Sequence, residues 1–208
     1  GGTRGAGATA EFDQNFQHTL AVNKGAKCKM NQIIVIVGPS GSGKTHLSKE
    51  LAFHGIPKCI TATTRSPRES EGEVDGRDYY FLSKSAFEAT DFIETTTYHG
   101  NYYGLPVKEV TKKLEEAGII HVVVEKNGAK ALKKSFPNET KIIFLPITEE
   151  RMHTRMLQRG DNPLQVEQRI IHANETGEFE PPEQVDFIYD VFGSSQLSDL
   201  LEFITQNN

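Results

Sequence analysis

The chain has 208 residues, of which 37% are hydrophobic and 25% charged, and this composition is typical of one sizeable globular domain rather than of a disordered chain. Its formal net charge is −5. Dedicated nucleic-acid-binding proteins carry a basic excess, so we expect no nucleic-acid partner.

Residues 1–29 differ in composition from the rest of the chain. They are rich in Gly, Ala, Thr and Gln and show no sustained hydrophobic period. This pattern favours a leader or tag-like flexible segment over a short segment that docks on a partner. We therefore expect the folded domain to span residues 30–208, with its start near Met30.

From residue 32 onward, apolar runs typical of buried strands alternate with stretches of helical period. The predicted strands are Gln32–Val37, Cys59–Thr64, Asp78–Leu82, Phe92–Thr97, Ile119–Val124, Lys141–Leu145 and Phe187–Val191. The predicted helices are Lys44–Phe53, Lys84–Ala89, Val107–Glu116, Gly128–Ser135, Glu149–Gln158, Leu164–Asn174 and Gln196–Ile204. This alternation predicts an α/β fold with a doubly wound, mainly parallel sheet, on which the less regular segment 61–105 is an insertion.

A Gly-rich loop joins the first predicted strand to the first predicted helix. It fits the pattern GxxxxGK[ST] with Gly38, Pro39, Ser40, Gly41, Ser42, Gly43, Lys44 and Thr45. In such a loop the backbone N–H groups and the positive end of the helix dipole face phosphate oxygens. Lys44 can bridge the β- and γ-phosphates, and the Thr45 hydroxyl can ligate Mg²⁺. The loop predicts binding of a nucleoside triphosphate, but it does not separate a kinase from an ATPase or a GTPase.

A charged turn in the middle of the chain offers a second anion site. Arg65 and Arg68 lie three residues apart and are followed by Arg77, Tyr79 and Tyr80. Guanidinium groups bind phosphate oxygens in pairs, and tyrosine hydroxyls add neutral donors. These residues fit an acceptor that itself carries phosphate, and they fit a solvated charged loop equally well.

A third cluster lies on the two charged helices that follow residue 148. Arg151, Arg155 and Arg159 repeat every four residues and share one helix face, and Arg169 follows on the next helix. A run of this kind is usually a solvated surface. Beside a triphosphate loop, however, such arginines can close over the transferring phosphoryl group and stabilise its developing charge.

Several short motifs, taken in order, give the chain a specific resemblance. It resembles the guanylate kinases over about residues 32–205, in the stretches IIVIVGPSGSGKT, TATTRSPR, GEVDGRDYYFLS, FIETTTYHGNYYGLP, NGAKALK and RMLQRGDNP. The resemblance implies an ATP:GMP phosphotransferase that uses ATP and Mg²⁺. It also implies three parts: a core (30–60, 106–148 and 176–208), a GMP-binding insertion (61–105) and a helical lid (149–175).

The resemblance further implies roles for individual residues. Those that hold the GMP phosphate are Arg65, Arg68, Tyr79 and Tyr103. Those that recognise guanine are Thr61, Glu94 and Glu125, and a carboxylate suits the N1–H and N2–H₂ donors on one edge of that base. Those that act on the triphosphate and the transferring group are Lys44, Arg155, Arg159 and Arg169. No general base is required, because the acceptor is already an anionic phosphate.

The chain departs from the family pattern at three places. Where the family usually has two aspartates one residue apart, this chain has Val123 and Glu125. Val123 removes an acidic group near the nucleotide and Mg²⁺, whereas Glu125 keeps the charge on a side chain that is one methylene longer. Leu105 stands where the family usually has a small hydroxyl residue near the base, and the loop between Arg68 and Gly72 is longer by two residues.

Three functions therefore stay open at the level of sequence, and a GMP kinase is the favoured one. A divergent kinase for another phosphorylated acceptor is motivated by Val123 and Leu105. A non-catalytic binding module of guanylate kinase shape is the third. Such modules tend to lose the phosphate-loop lysine, whereas this chain keeps Lys44.

The remaining features of the sequence concern membranes, disulfides and metals. The longest apolar stretches, such as residues 33–37, are too short to span a bilayer. Cys28 and Cys59 form no CxxC pair and do not indicate a disulfide framework, which fits a reducing setting. The scattered histidines lack the spacing of metal ligands. We expect a cytoplasmic protein with no membrane partner, acting as a monomer or a homodimer.

Overall fold

The computed structural model describes residues 31–206. The expected leader 1–29, Cys28 and Met30 lie outside these described residues. Among the helices within residues 31–206, none combines the length and the apolar character that crossing a bilayer requires.

Strands and helices alternate along residues 31–206, as the sequence predicts. The strands are β1 (Gln32–Val37), β2 (Ala62–Thr63), β3 (Tyr80–Phe81), β4 (Phe92–Tyr98), β5 (Asn101–Pro106), β6 (Ile119–Val123), β7 (Thr140–Phe144) and β8 (Phe187–Ile188). The α-helices are α1 (Lys44–Phe53), α2 (Lys84–Glu88), α3 (Val107–Ala117), α4 (Lys126–Ser135), α5 (Glu149–Gln158), α6 (Pro163–Glu175) and α7 (Leu197–Gln206). A 3₁₀ turn, Glu69–Glu71, lies in the charged loop after β2.

The core is a parallel sheet with the strand order β6-β1-β7-β8. Every residue of its inner strand β1 is buried. Ile34 and Ile36 pack against α1 and α7, whereas Ile33 and Val35 pack against α3 and α4. Helices therefore cover both faces of the sheet, which explains the unbroken apolar run of β1. The predicted α/β fold with a doubly wound parallel core is confirmed.

Residues 62–106 form a second, mixed sheet with the order β3-β2-β5-β4. β2 pairs parallel with β3 and antiparallel with β5, and β4 and β5 form a hairpin. The sequence prediction missed β5. The hairpin turns in two residues, His99 and Gly100, with φ of 46° and 76°, and a tight turn of this type matches the twist of the flanking strands.

Helices α5 and α6 pack on each other around an apolar cluster of their own. Its buried members are Ile147, Met152, Met156, Val166, Ile170 and Ala173. The Thr148 hydroxyl caps α5 by accepting from the Arg151 amide, and the Asn162 side chain caps α6 by accepting from the Leu164 amide. The pair is thus a compact helical unit that joins the core between β7 and β8.

Several predicted elements differ from the observed ones at their ends. The strand predicted from Cys59 is only the short β2, because the amides of Cys59 and Ile60 bond instead to the His121 carbonyl (2.8 Å) and to the Glu109 carboxylate (3.0 Å). The helix predicted from residue 128 begins at residue 126, because Glu125 adopts extended backbone and takes the N-cap position.

Candidate active site

The phosphate loop lies at the carboxyl end of β1, where the inner strand of the core gives way to α1. Gly43 caps α1 with a φ of 102°, and a Cβ at Gly38 would lie 2.6 Å from a main-chain oxygen just after β7. The buried Ser42 hydroxyl donates to the Pro39 carbonyl (2.7 Å) and closes the loop on itself. Lys44 is the first helical residue, and its Nζ donates back across the loop to the Gly38 carbonyl.

Lys44 lies among charged groups that come from three other parts of the chain. Burial lowers the pKa of Lys44, the carboxylate of Glu178 opposes that shift, the Arg169 guanidinium adds to it, and the Glu125 carboxylate again opposes it. These groups belong to α6, to the segment after α6 and to the N-cap of α4. Charged groups of both signs therefore act on the lysine of the phosphate loop, and two of them, Arg169 and Glu178, form an ion pair. Glu178 was not predicted, since no local motif marks it.

Arg169 is fixed by Glu178. Its two terminal nitrogens donate to the two carboxylate oxygens at 3.0 Å each, and the Arg169 and Glu178 side chains are 32% and 17% exposed. A bidentate pair of this kind holds a guanidinium plane in one orientation. Arg169, which was predicted to bind phosphate, thus lies near Lys44 with its guanidinium already held in one orientation by Glu178.

The other two predicted lid arginines lie differently. Arg155 in α5 stacks over the Phe192 ring at 5.1 Å, and its Cβ is 3.8 Å from the position a Cβ would take at Gly41. Helix α5 ends at residue 158, so Arg159 caps the helix. Its guanidinium pairs with Asp161 at 2.5 Å on the surface. The structure therefore brings Arg155 to the phosphate loop and holds Arg159 at the turn between α5 and α6.

Arg65, in the predicted acceptor cluster, is held from several sides. It donates two hydrogen bonds to Glu73 (2.8 and 2.9 Å) and a further one to the Ser66 carbonyl (3.0 Å), and it stacks on the Tyr79 ring at 5.3 Å. The bond to Arg65, helped by the Arg68 amide, lowers the pKa of Glu73 to about 2. The buried Nε–H of Arg65 has no hydrogen-bond partner in the described part of the chain. Such a donor is costly to bury without an acceptor, which points to an anion at this place.

The remaining members of this cluster divide into two groups. The rings of Tyr79 and Tyr103 meet edge to face, with centroids 6.1 Å apart. Arg68 instead turns outward, with its guanidinium 3.6 Å from Glu71 and more than half exposed. Glu71 belongs to the 3₁₀ turn Glu69–Glu71. The charged loop after β2 thus supplies an acidic partner for Arg68. Sequence reasoning found neither Glu71 nor Glu73 as partners of these arginines.

Two carboxylates meet at the N-terminal end of α4. Burial, and then the nearby charge of Glu125, raise the pKa of Glu94 in β4. A Cβ at Gly128 would lie 2.9 Å from Glu94 Oε2, so the glycine makes room for this side chain on the first turn of α4. Thr61 lies immediately before β2, and its carbonyl accepts from the Tyr80 amide (2.9 Å). Adjacent acceptors of this kind can bind a group that presents several N–H donors on one edge.

Leu105 and Val123 were expected from the sequence to lie near the bound nucleotides, and the structure shows that both side chains pack against the apolar core. Leu105 is 5% exposed and packs in the core cluster on the α3 and α4 face of the sheet. Val123 is half-buried against the cluster on the opposite face, beneath α1 and α7. Both are therefore packing residues in this structure. Thr45 lies on the exposed first turn of α1, where its hydroxyl can face a metal ion on a bound triphosphate.

Comparisons with known proteins agree with these features. A sequence model of the guanylate kinase family matches residues 30–194. The guanylate kinase of Prochlorococcus marinus subsp. pastoris is 36% identical over 166 residues, which cover 76% of this chain and 88% of the relative. The guanylate kinase of a Synechocystis species is 37% identical over 152 residues, which cover 69% of this chain and 78% of the relative. The crystal structure of guanylate kinase from Anaplasma phagocytophilum matches with a TM-score of 0.58 at 22% identity and covers 85% of both chains.

Proposed function

The chain belongs to the guanylate kinase family, and on that basis we propose that it transfers the γ-phosphoryl group of ATP to GMP and releases ADP and GDP. It is a nucleoside monophosphate kinase. The observation that carries the assignment of its substrate sites is the unpartnered, buried Nε–H of Arg65. It lies in a side-chain cluster that is separate from the phosphate loop, as a second, phosphorylated substrate requires.

The donor triphosphate binds at the phosphate loop. Backbone N–H groups and the N-terminus of α1 hold its phosphates, and Lys44 exchanges its bond to the Gly38 carbonyl for phosphate oxygens. Arg155 and Arg169 come from the helical pair and neutralise charge on the transferring group. Arg159 joins them once it leaves Asp161, and its exposed position makes that exchange inexpensive.

The acceptor GMP binds between the second sheet and the N-terminus of α4. Arg65 keeps its two bonds to Glu73 and donates its free Nε–H to the GMP phosphate, beside the hydroxyls of Tyr79 and Tyr103. Arg68 adds its charge after exchanging Glu71 for phosphate. The guanine edge lies on Glu94 and Glu125, with Thr61 as an additional donor or acceptor.

Transfer then requires positioning and charge neutralisation. A GMP phosphate oxygen forms a bond to the γ-phosphorus, while the bond from that phosphorus to the bridging β–γ oxygen breaks and its electron pair leaves with ADP. The attacking oxygen is already anionic, so no side chain has to remove a proton. Closure of the three predicted parts, core, insertion and lid, over both nucleotides would exclude water and limit hydrolysis of ATP.

The donor set at the phosphate loop fits a magnesium ion that is held mainly by the nucleotide. Thr45 offers one hydroxyl, Val123 offers no oxygen, and residues 31–206 contain no group of three His, Cys, Asp or Glu side chains that could hold a metal. Mg²⁺ commonly keeps several waters and binds through substrate phosphates. When bound, it supplies neutralisation of the β- and γ-phosphate charge, and Thr45 is the protein residue that would hold it.

The partners that we propose are the two nucleotides. A cytoplasmic location, and a monomeric or homodimeric state, stay predictions from the sequence. The separation of residues 149–175 as a lid and of residues 61–105 as an insertion is likewise a proposal, supported by their separate apolar cluster and separate sheet.

A coupled assay of ADP release tests the function. Purified protein receives ATP, Mg²⁺ and one of five acceptors, GMP, dGMP, AMP, UMP or CMP. We expect GMP to give the highest kcat/KM. Turnover of another nucleotide above that of GMP would contradict the acceptor assignment, and the absence of ADP release with every acceptor would contradict the kinase assignment.

A further inference from the structure

Lys126 occupies an electrostatically unfavourable place in its own helix. It is the first residue of α4, directly after the N-cap Glu125, and the first turn of α4 contains no acidic residue. The N-terminal end of a helix carries partial positive charge, which disfavours a cation there. Lys126 is nevertheless half-buried, so its ammonium group needs a compensating partner outside α4.

That partner is the C-terminal end of α6. Lys126 Nζ donates to the Gly177 carbonyl, 51 residues further along the chain. Gly177 has a φ of 67°; its amide bonds to the Asn174 carbonyl (3.3 Å), and the Glu178 amide bonds to the Ala173 carbonyl (2.8 Å). This is the Schellman arrangement that ends a helix. The negative end of the α6 dipole therefore receives the cation that the start of α4 disfavours.

The bond connects Lys126 to the phosphate-binding groups through one residue. Glu178 follows Gly177 directly, holds Arg169 in two hydrogen bonds of 3.0 Å, and acts electrostatically on Lys44. The position of Glu178 depends on the path of the chain at Gly177. Any movement of the end of α6 relative to α4 would therefore move the plane of the Arg169 guanidinium.

We propose that Lys126 is a positioning residue for phosphoryl transfer, which anchors the C-terminal end of α6 to the N-terminal end of α4 and thereby orients Glu178 and Arg169 at the phosphate loop. It acts through these residues and does not contact the nucleotides. The inference rests on the proposed function for the role of Arg169. Because Glu125 precedes Lys126, the same short segment would connect recognition of the acceptor base with the orientation of Arg169.

Steady-state kinetics of three variants test this role. In Lys126→Met, we expect kcat to fall by about tenfold while KM for GMP changes by less than about twofold, since misplaced catalytic groups cost rate rather than ground-state binding. Lys126→Arg, which keeps a cationic donor, should restore kcat to within about threefold of the parent protein. Lys130→Met removes an exposed lysine from the same helix and should leave both constants unchanged.

Hydrogen exchange tests the anchor without relying on turnover. In the ligand-free proteins, the amides of Gly177 and Glu178 should exchange faster in Lys126→Met than in the parent protein or in Lys130→Met. Unchanged exchange, or a kcat of Lys126→Met within twofold of the parent value, would overturn the proposal. Equal losses in Lys126→Met and Lys126→Arg would also overturn it, because they would assign Lys126 a packing role. A parent protein without GMP turnover would instead refute the proposed function, and the exchange experiment would still decide whether the anchor exists.

Discussion

The donor and acceptor sites hold phosphate in two different ways. The phosphate loop is one uninterrupted stretch, Gly38 to Thr45, whose backbone N–H groups are fixed by the junction of β1 with α1. The acceptor cluster is built from side chains that start in separate strands and loops, Arg65, Tyr79 and Tyr103. A backbone site is oriented by the path of the chain, whereas a side-chain site needs further residues to orient it.

The orienting residues of the acceptor site are acidic. Glu73 holds Arg65, and Glu71 attracts Arg68. The same device appears beside the donor loop, where Glu178 holds Arg169. Arginines gathered around an anion site repel one another while the site is empty, and these carboxylate partners reduce that repulsion. We infer that the acceptor site depends on charge pairs alone, whereas the donor site combines backbone geometry and Lys44 with the single pair Arg169–Glu178.

The largest expected effect is on the donor side. Lys44→Ala removes the cation at the phosphate loop, and we expect kcat to fall by about 10³-fold with little change in KM for GMP. The measurement is the coupled assay at saturating ATP and GMP. Lys49→Ala, an exposed change on the same helix, is the matched control and should keep the parent kcat. If Lys44→Ala kept more than about a tenth of the parent rate, the role of this lysine in transfer would be wrong.

The second largest effect is expected at the acceptor site. Arg65→Ala removes the free Nε–H and also leaves Glu73 without its partner, so we expect kcat/KM for GMP to fall by about 10²-fold, mainly through KM. KM for ATP should stay within about twofold. Lys84→Ala, an exposed residue at the start of α2, serves as the control. A parallel rise in both KM values would mean that the two sites are not separable as described.

The same contrast explains which parts could be predicted from the sequence. The buried run of β1, the phosphate loop after it and helix α5 are local patterns, and β1 and α5 are observed with the predicted bounds Gln32–Val37 and Glu149–Gln158. Strand β5 was missed, because its only turn signal is His99-Gly100. Short β2 was overextended, because residues 58–60 bond to β6 and Glu109 instead. Local patterns cannot report hydrogen bonds that the tertiary structure redirects.

The ion pairs between charged side chains could not be predicted from the sequence for a related reason. Arg65 and Glu73 are eight residues apart, and Arg169 and Glu178 are nine. Neither spacing brings two side chains into contact within one helix or one strand, so only the folded loops bring each pair together. The helical period did place Arg155 and Arg159 on one face, but α5 ends at residue 158 and Asp161 takes the second arginine. The candidate arginines came from motifs, and their acidic partners came only from the structure.

A smaller effect should separate base recognition from phosphate binding within the acceptor site. Glu94→Gln replaces a charged acceptor by a group that also carries N–H donors, so we expect the ratio of kcat/KM for GMP to that for AMP to fall by about thirtyfold, while turnover at saturating GMP changes far less. Glu88→Gln, an exposed change at the end of α2, is the control. An unchanged ratio would mean that Glu94 does not contact the base.

The smallest expected effect is that KM for GMP depends more strongly on pH than KM for ATP does. Burial and the charge of Glu125 raise the pKa of Glu94, and only its ionised form accepts from two guanine N–H groups. Binding of GMP therefore requires loss of this proton. KM for GMP should rise by a factor of about three as pH falls from about 7 to about 5, and KM for ATP should change less. Glu73 stays ionised over this range, because its bonds lower its pKa to about 2.

The phosphate of GMP also titrates between about pH 5 and about pH 7, since the second pKa of a phosphomonoester is about 6, so the decisive measurement compares two proteins. The parent enzyme combines titration of the phosphate with that of the Glu94 carboxyl, whereas Glu94→Gln retains only that of the phosphate. We therefore expect the rise in KM for GMP to be steeper in the parent enzyme. Equal slopes would assign the whole pH dependence to the substrate and would remove the electrostatic argument that connects Glu94 and Glu125 with guanine.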